Sequence, residues 1–477
     1  MKTKRVDVAI IGAGTAGLNA RREAEKAGAS WVLIESGPYG TTCARVGCMP
    51  SKLLIAAAEA AHNVAHAREF GVNVENWNVD GRAVMERVRS ERDRFVGFVV
   101  DSTESIPEEK RLRGEARFVG PKSLQVGDHT RVEAKSVVIA TGSRPWIPPQ
   151  LDAIRDDVLV NDDVFEWEDL PESMAIFGTG IIGLEIGQAL TRLGVQIEFF
   201  NPFDELGRFS DPKIVAKAHK VFGKQLTLHL KSDATGVEKV DGGYRIQWTD
   251  LNGEDHERVF QHVMSAAGRR PNVEALDLEK AGIPLDHRGL PISDPRTLQC
   301  GDTSIFVAGD VSGHRPILHE ASDEGRIAGA NAAQFPDVQA TVRKTSLEIA
   351  FTEPQMAIVG ERYIDLDPDE IAIGEVSYDN QGRARVMGAN CGLVRLYGRK
   401  SNCRLIAAEM FGPRVEHTSH LLAWAIQEGL TVPELLEKPV YHPVFEEGIR
   451  TAIRNLAKEL RVSGQCGPQD RGEGPGA

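Results

Sequence analysis

The chain has 477 residues, enough for about three domains that each bury a core without disulfide staples or structural metal. Its 56 Lys and Arg against 69 Asp and Glu leave a formal charge of −13, which argues against a surface built to neutralise nucleic-acid phosphates or anionic lipid. Hydrophobic residues at 41% and charged residues at 26% exclude a fibrous or disordered chain, and the 47 glycines require turns and close backbone approaches.

In chain order, the basic-then-apolar opening imitates a signal peptide, but Asp7 interrupts the apolar run and the glycines beyond give it a better reading. Residues 6–35 read as strand, turn, helix and strand. An apolar run ends in Gly12-x-Gly14-x-x-Gly17, an amphipathic pattern follows, and a second apolar run closes on Glu35. In such a turn the first glycine makes the bend, the second lets backbone approach a pyrophosphate, and the third lets helix and strand pack. The helix N-terminus supplies N–H donors. A tight turn in some other α/β protein is the bland alternative, and the strand and helix on either side outweigh it. Glu35 sits where a carboxylate accepts from ribose hydroxyls and repels a 2′-phosphate, which suits FAD or NAD.

Cys43 and Cys48 stand at i and i+5 before an Ala-rich helix read over 53–69. A distorted first helical turn brings such a pair within bridging distance, and a helix N-terminus stabilises a thiolate. From the residues alone the pair is a working dithiol, a pair of packing cysteines, or half of a metal site. No second cysteine cluster or nearby His-x-His completes a zinc set, so no metal is expected. Six dispersed cysteines do not make a secreted disulfide framework, and no stretch of roughly 18 residues is apolar enough to span a bilayer. The expectation is a cytoplasmic protein without membrane or nucleic-acid partners.

Short strands over 110–145 end in ATGSRP, and the Pro-rich 146–150 reads as a linker. The strand, turn, helix, strand unit then recurs over 173–201 with Gly178, Gly180 and Gly183, and 178 to 201 is the same 23-residue offset as 12 to 35. Asn201 takes the place of Glu35. It bonds a ribose hydroxyl but repels phosphate less, while Asp204 and Glu205 follow and Arg208 is the first cation, so NAD is favoured. Further strands run through 258–272, and a strand-turn at 304–311 leads into another helix. From about 340 the pattern mixes strands with helices at 415–429 and 445–460, and residues 462–477 read as a disordered tail rich in Gly and Pro. Pro443 keeps His442 in a loop, with Glu447 in the first turn of the last helix. A His there can shuttle protons near neutral pH, and a carboxylate can orient its ring. The fold class is therefore α/β, with two Rossmann-like dinucleotide-binding domains and a C-terminal α+β domain.

The stretch TTCARVGCMPSK, with Cys43, Gly47, Cys48, Pro50 and Lys52, resembles the redox-active segment of the class I FAD-dependent pyridine nucleotide-disulfide oxidoreductases. The resemblance runs from residue 6 to about 460. ATGSRP (140–145), GTGIIGLE (178–185), GRRPN (268–272), VAGDV (307–311), TEPQMAIVG (352–360) and HPVFEE (442–447) are similar to that family's landmarks in their usual order. It implies Cys43 as the interchange thiol, Cys48 as the flavin-contacting thiol, and Lys52 with Glu185 as the ion pair beside the flavin. It implies Asp310 as the acid that binds the ribityl chain, and places Thr141, Gly142 and Gly268 in cofactor-binding landmarks. His442 and Glu447 would act across a homodimer interface on the partner subunit's Cys43. The implied division is FAD domain 1–150 and 275–339, NAD(P) domain 151–274, and dimerisation domain 340–461.

Within the family the resemblance is nearest to the dihydrolipoamide dehydrogenases. That implies oxidation of dihydrolipoamide or a lipoyl domain with reduction of NAD⁺, with a 2-oxoacid dehydrogenase complex among the partners it would admit. The alternatives are a glutathione-, mercuric- or transhydrogenase-type enzyme with a non-lipoyl acceptor, or a non-enzymatic FAD-binding subunit. The last has no need of Cys43, Cys48, His442 and Glu447 together. Mercuric reductases carry a C-terminal cysteine pair, where this chain has Cys466 alone. Thr41, Arg45 and Tyr441 depart from the family's usual Gly, Asn and small residue, near the disulfide pocket.

Overall fold

The computed structural model describes residues 1–232 and 234–462, so the expected tail lies outside the described residues from 463 onward. The first unit is β1 (Lys2–Ile11), α1 (Thr15–Lys26) and β2 (Trp31–Glu35). After it come α2 (Thr42–Val46), α3 (Cys48–His66) and α4 (Gly81–Glu104), a helix without a clean apolar stripe in its sequence, capped by Asp80 accepting from the Ala83 N–H at 3.1 Å. Next are β3 (Arg111–Arg113), β4 (Ala116–Gly120), β5 (Ser123–Val126), β6 (Thr130–Ile139) and β7 (Ser143–Pro145). The second unit holds α5 (Asn161–Val164), β8 (Ser173–Phe177), α6 (Ile181–Arg192), β9 (Gln196–Asn201), α7 (Pro212–Phe222) and β10 (Thr227–Leu230). An antiparallel trio, β11 (Ala234–Val240), β12 (Gly243–Thr249) and β13 (Asp255–Phe260), precedes β14 (His262–Ser265) and β15 (Arg269–Pro271).

The first sheet runs β3-β2-β1-β6, and β6 then serves two neighbours. Its first half pairs antiparallel with β5, and its second half pairs parallel with β16 (Ile305–Val307), Ile305 opposite Val137. The chain therefore builds a second parallel sheet, β10-β9-β8-β14, and returns to complete the first. The residues of β1 alternate between two cores. Val8 and Ile10 pack with α1 and α8 (Leu318–Gln334), and Ala9 and Ile11 pack against the opposite layer. In the second sheet Phe200 is buried, stacked on Phe177 at 5.3 Å and edge-on to Trp248 at 5.2 Å.

The C-terminal sheet comprises β17 (Leu347–Ala350), β18 (Gln355–Gly360), β19 (Ile371–Ser377), β20 (Leu393–Arg399) and β21 (Leu405–Gly412) in the order β17-β18-β21-β20-β19. Its helices are α9 (Gly382–Val386), α10 (Val415–Gln427), α11 (Val432–Leu436) and α12 (Glu446–Val462). Two fully buried carboxylates fasten it to the start of α7. Glu409 accepts from the Ser210 hydroxyl at 2.6 Å and from the N–H groups of Asp211 at 3.0 Å and Tyr363 at 3.1 Å. Asp211 pairs with Arg395 and accepts from the Tyr397 hydroxyl at 2.8 Å. Charges buried this deeply persist only when fully partnered, so these contacts fix the position of α7 on the sheet. Among the described residues no helix is long and apolar enough to cross a membrane.

Helices α1 and α8 lie in backbone contact. A Cβ at Gly325 would stand 2.2 Å from the Ala16 carbonyl oxygen, and one at Gly329 would stand 2.4 Å from that of Ala20. Gly329→Ala is therefore expected to push α8 off α1 and cost about 1–3 kcal/mol, the usual range for overpacking. Denaturant unfolding reads this, and unchanged stability would show that the helices part freely.

Candidate active site

In both glycine turns the chain itself dictates the first and third positions. A Cβ at Gly12 (φ +109°) would meet the Ala140 oxygen at 2.2 Å, and one at Gly17 would meet the Gly12 oxygen at 1.9 Å. At Gly178 (φ +112°) and Gly183 the corresponding contacts are 2.5 Å to Ala266 and 2.3 Å to Gly178. The middle glycines, Gly14 and Gly180, have nothing within 4 Å, so each turn presents open backbone directly before a helix N-terminus. That arrangement fits a pyrophosphate. Glu35 is tethered above the first turn, accepting from the N–H groups of Ala13 and Gly37, both at 2.7 Å, and each oxygen keeps a lone pair for a ribose hydroxyl. Asn201 occupies the same place over the second turn. Its Oδ1 accepts from the Phe203 N–H at 3.1 Å and its Nδ2 donates to the Thr179 hydroxyl at 2.5 Å.

The two cysteines lie on different helices, not in one distorted turn. Cys43 is inside α2 and Cys48 opens α3, which starts five residues before the Ala-rich run from 53. Gly47 separates them (φ −124°, ψ −115°), and a Cβ there would press within 3.2 Å of the Cys43 Cα. Pro50 falls in the first turn of α3, where its missing N–H costs no helical bond. Thr41 caps α2 through the Ala44 N–H at 3.3 Å while holding φ +57° and ψ 148°, a region suited to glycine. The Asn161 amide donates to the Val46 carbonyl at 2.7 Å and props the segment from α5. Both thiols are free, and the two share a hydrogen bond. This hydrogen bond, aided by the Lys52 charge and opposed by burial, holds Cys48 down at about 7. The same bond, together with burial, pushes Cys43 up.

Lys52 follows Cys48 by one turn of α3. Its Nζ is 2.5 Å from Glu185 on α6 and 4.6 Å from the centre of the Phe351 ring. Glu185 is almost fully buried, and its other oxygen accepts from the Phe351 N–H at 2.8 Å. Asp310 follows Gly309 (φ +81°) and accepts from the Ser143 hydroxyl at 2.5 Å, and that hydroxyl itself accepts from Arg269 at 2.8 Å. Buried Glu324 pins the same loop by accepting from the Gly309 N–H at 2.8 Å and the Ser312 hydroxyl at 3.0 Å. The structure draws Thr141, Gly142 and Gly268 to the crossing of β7 and β15. There the Thr141 hydroxyl donates to the Asn272 carbonyl at 2.6 Å, Gly142 accepts from the Asn272 N–H at 2.9 Å, and Gly268 accepts from the Trp146 N–H at 3.0 Å.

His442 Nδ1 lies 2.9 Å from Glu447, whose second oxygen accepts from the Val444 N–H at 3.1 Å. Glu447 is buried and His442 exposed, so the carboxylate orients the ring and leaves Nε2 outward. The Gln381 amide and the Tyr378 hydroxyl hold the loop by donating to the Val444 and Phe445 carbonyls at 2.9 and 3.1 Å. Among the described residues, no hydrogen bond or ion pair joins His442 or Glu447 to the cysteines of the same chain. Sequence reasoning missed Phe351, Ser143, Glu324 and Asn161. Three of them act on or through backbone groups far along the chain, which leave no spacing signal.

Residues 6–333 match the family profile described as pyridine nucleotide-disulphide oxidoreductase, and residues 347–453 match the profile of its dimerisation domain. The chain is 28% identical to the dihydrolipoyl dehydrogenase of Chlamydia trachomatis, covering 92% of this chain and 94% of that protein. It is 30% identical to the mercuric reductase of Streptomyces lividans, covering 96% and 98%. The HOCl-induced flavoprotein disulfide reductase RclA from Escherichia coli has a similar fold, with a TM-score of 0.77 at 21% identity over 94% of this chain and 99% of that one. The chain belongs to the pyridine nucleotide-disulphide oxidoreductase family, which works with FAD and a nicotinamide dinucleotide.

In the reduced protein, the Cys48 thiolate is expected to appear as pH rises through about 7. Cys43→Ala removes the shared hydrogen bond and moves that midpoint upward, toward an ordinary thiol. The pH dependence of iodoacetamide alkylation reads both, and an unmoved midpoint would leave Lys52 and the start of α3 as the sources of stabilisation.

Proposed function

We propose that this flavoprotein disulfide reductase is a homodimeric dihydrolipoyl dehydrogenase, oxidising dihydrolipoamide or a lipoyl domain and reducing NAD⁺. The observation that carries the reading is the pair of free thiols, Cys43 on α2 and Cys48 at the start of α3, one turn from the Lys52–Glu185 pair. In this reading residues 1–150 and 275–339 hold FAD through Gly12, Gly14, Gly17, Glu35, Lys52, Thr141, Gly142 and Asp310. Residues 151–274 hold NAD through Gly178, Gly180, Gly183, Asn201 and Gly268, and carry Glu185, the partner of Lys52 beside the flavin. Residues 340–461 dimerise and deliver His442 and Glu447.

The cycle starts with Cys43 and Cys48 joined. The partner subunit's His442 takes the proton of one substrate thiol, and the thiolate attacks the Cys43 sulfur. The Cys43–Cys48 bond breaks, and Cys48 leaves as the thiolate that its low pKa favours. The second substrate thiol then displaces Cys43 and closes the substrate disulfide. The substrate loses two electrons and two protons. The enzyme dithiol gains both electrons and keeps one proton between Cys43 and Cys48, and the partner subunit's His442 releases the other. When bound, FAD supplies the path by which the electron pair passes from the dithiol to NAD⁺.

Thr41, Arg45 and Tyr441, the last 81% exposed beside His442, support a second reading in which the acceptor is not lipoyl. Resemblance to a mercuric reductase at 30% identity points the same way. Steady-state rates with dihydrolipoamide, glutathione and mercuric ion distinguish the two, and faster turnover of either alternative would replace the first. With dihydrolipoamide, Cys48→Ser is expected to retain FAD and lose NADH formation, and His442→Gln to slow it about a hundredfold or more. Near-normal turnover of Cys48→Ser would remove the dithiol from the mechanism.

A further inference from the structure

The carboxyl edge of the second parallel sheet carries charges that the mechanism does not use. Strand β9 ends at Asn201, level with Leu230 at the end of β10. Both polar atoms of the Asn201 side chain are engaged within the chain, and the residue is buried and uncharged. It has no charge with which to sort a ribose hydroxyl from a ribose phosphate. Among the described residues Arg208 and Lys231 are cations at this edge, and each is already paired. Arg208 lies 3.1 Å from Glu348 on β17, a carboxylate that is itself largely buried. Lys231 arrives from the end of β10 in the left-handed region (φ +54°) and donates its N–H to the Phe203 carbonyl at 3.3 Å. Its Nζ is 2.5 Å from one oxygen of Asp204, and His219 approaches the other oxygen at 3.4 Å.

We infer that Asp204, by holding Lys231, is the residue that makes this site refuse a 2′-phosphate and so determines its coenzyme specificity. The inference rests on assigning the second glycine turn to the nicotinamide dinucleotide. A carboxyl edge of a parallel sheet is where such a coenzyme places its adenosine ribose. An incoming phosphate dianion there meets a carboxylate and an ammonium that is already neutralised. Without the Asp204 charge the same ammonium becomes an open donor on the residue that follows Leu230, the strand partner of Asn201, suited to a phosphate. Lys231 was hidden in the sequence because it lies 30 residues beyond Asn201 and reaches the site only through the β9–β10 pairing. The pair is about half exposed, with side-chain accessibilities of 56% and 44%, and exposed pairs of this kind contribute little to stability. Removing it leaves the fold intact.

The test is calorimetric binding of 5′-AMP and 2′,5′-ADP to the FAD-loaded protein, wild type and variants. Wild type is expected to bind 5′-AMP at least as well as 2′,5′-ADP. Asp204→Asn is expected to tighten 2′,5′-ADP roughly tenfold, the worth of one charge-assisted hydrogen bond, with 5′-AMP unchanged. Adding Lys231→Gln to that variant is expected to abolish the gain. A ratio of the two ligands unmoved by Asp204→Asn, a gain that survives Lys231→Gln, or a wild type that already prefers 2′,5′-ADP would overturn the inference. Failure of wild type to bind either fragment would instead refute the assignment of the second turn. Neither fragment involves the cysteines, so an enzyme inactive toward dihydrolipoamide leaves these arms readable.

Discussion

Glu185 carries a charge into the interior of the protein, where an unpartnered carboxylate costs roughly several kcal/mol. Two segments distant in sequence meet to satisfy it on α6: Lys52 from α3 and the Phe351 N–H from the C-terminal part of the chain. Because Lys52 follows Cys48 by one helical turn, the contact that relieves this burial also sets the position of the thiols relative to the second glycine turn, from which α6 springs. Gln188, one turn further along α6, repeats the arrangement by exchanging hydrogen bonds of 2.7 and 2.8 Å with the backbone of Glu353. One satisfied buried charge and its neighbour therefore join the redox segment, the second dinucleotide unit and the C-terminal part of the chain, beside the Glu409 and Asp211 contacts at α7.

The two glycine units solve one geometric problem with different chemistry. In each, the residue ending the second strand is tied back to the turn and forward to the residue two positions on. In the first unit the tie is a carboxylate receiving two backbone N–H groups, which leaves a negative charge at the ribose position. In the second it is an amide facing a threonine hydroxyl, which leaves none. The tether is preserved while the charge is not, so whatever distinguishes hydroxyl from phosphate at the second unit has to come from outside the repeat.

Much of this was legible in the sequence wherever function imposes spacing along the chain. Both glycine triplets, Glu35 and Asn201, the cysteine pair and the loop position of His442 follow from local periodicity and from Pro443. What was illegible depends on contacts between remote segments. Strand β16 returns to a sheet begun some 300 residues earlier, and its three residues carry too little pattern to announce it. Helix α4 mixes charge around its circumference and offered no apolar stripe. Phe351 and Glu324 act on or through backbone amides, which any residue possesses. The start of α3 was misplaced because Cys48, Met49 and Pro50 do not look helical, although a first turn tolerates them.

The asymmetry between the two sulfurs follows from the same local geometry and decides how the site can work. A thiol that donates is held protonated and a thiol that accepts is relieved of its proton, so one hydrogen bond moves Cys43 and Cys48 in opposite directions. Cys48 is also the sulfur nearer Lys52 in sequence and at the start of α3, where positive potential favours the thiolate. Exchange at a disulfide expels the sulfur with the lower pKa, so attack is directed to Cys43. The substrate thiol that attacks Cys43 then needs a base other than Lys52, which is committed to Glu185. His442 is exposed and oriented by Glu447, and among the described residues it shares no hydrogen bond or ion pair with the cysteines of its own chain. In the proposed reaction that role falls to the partner subunit's His442, which is why that reaction calls for two chains.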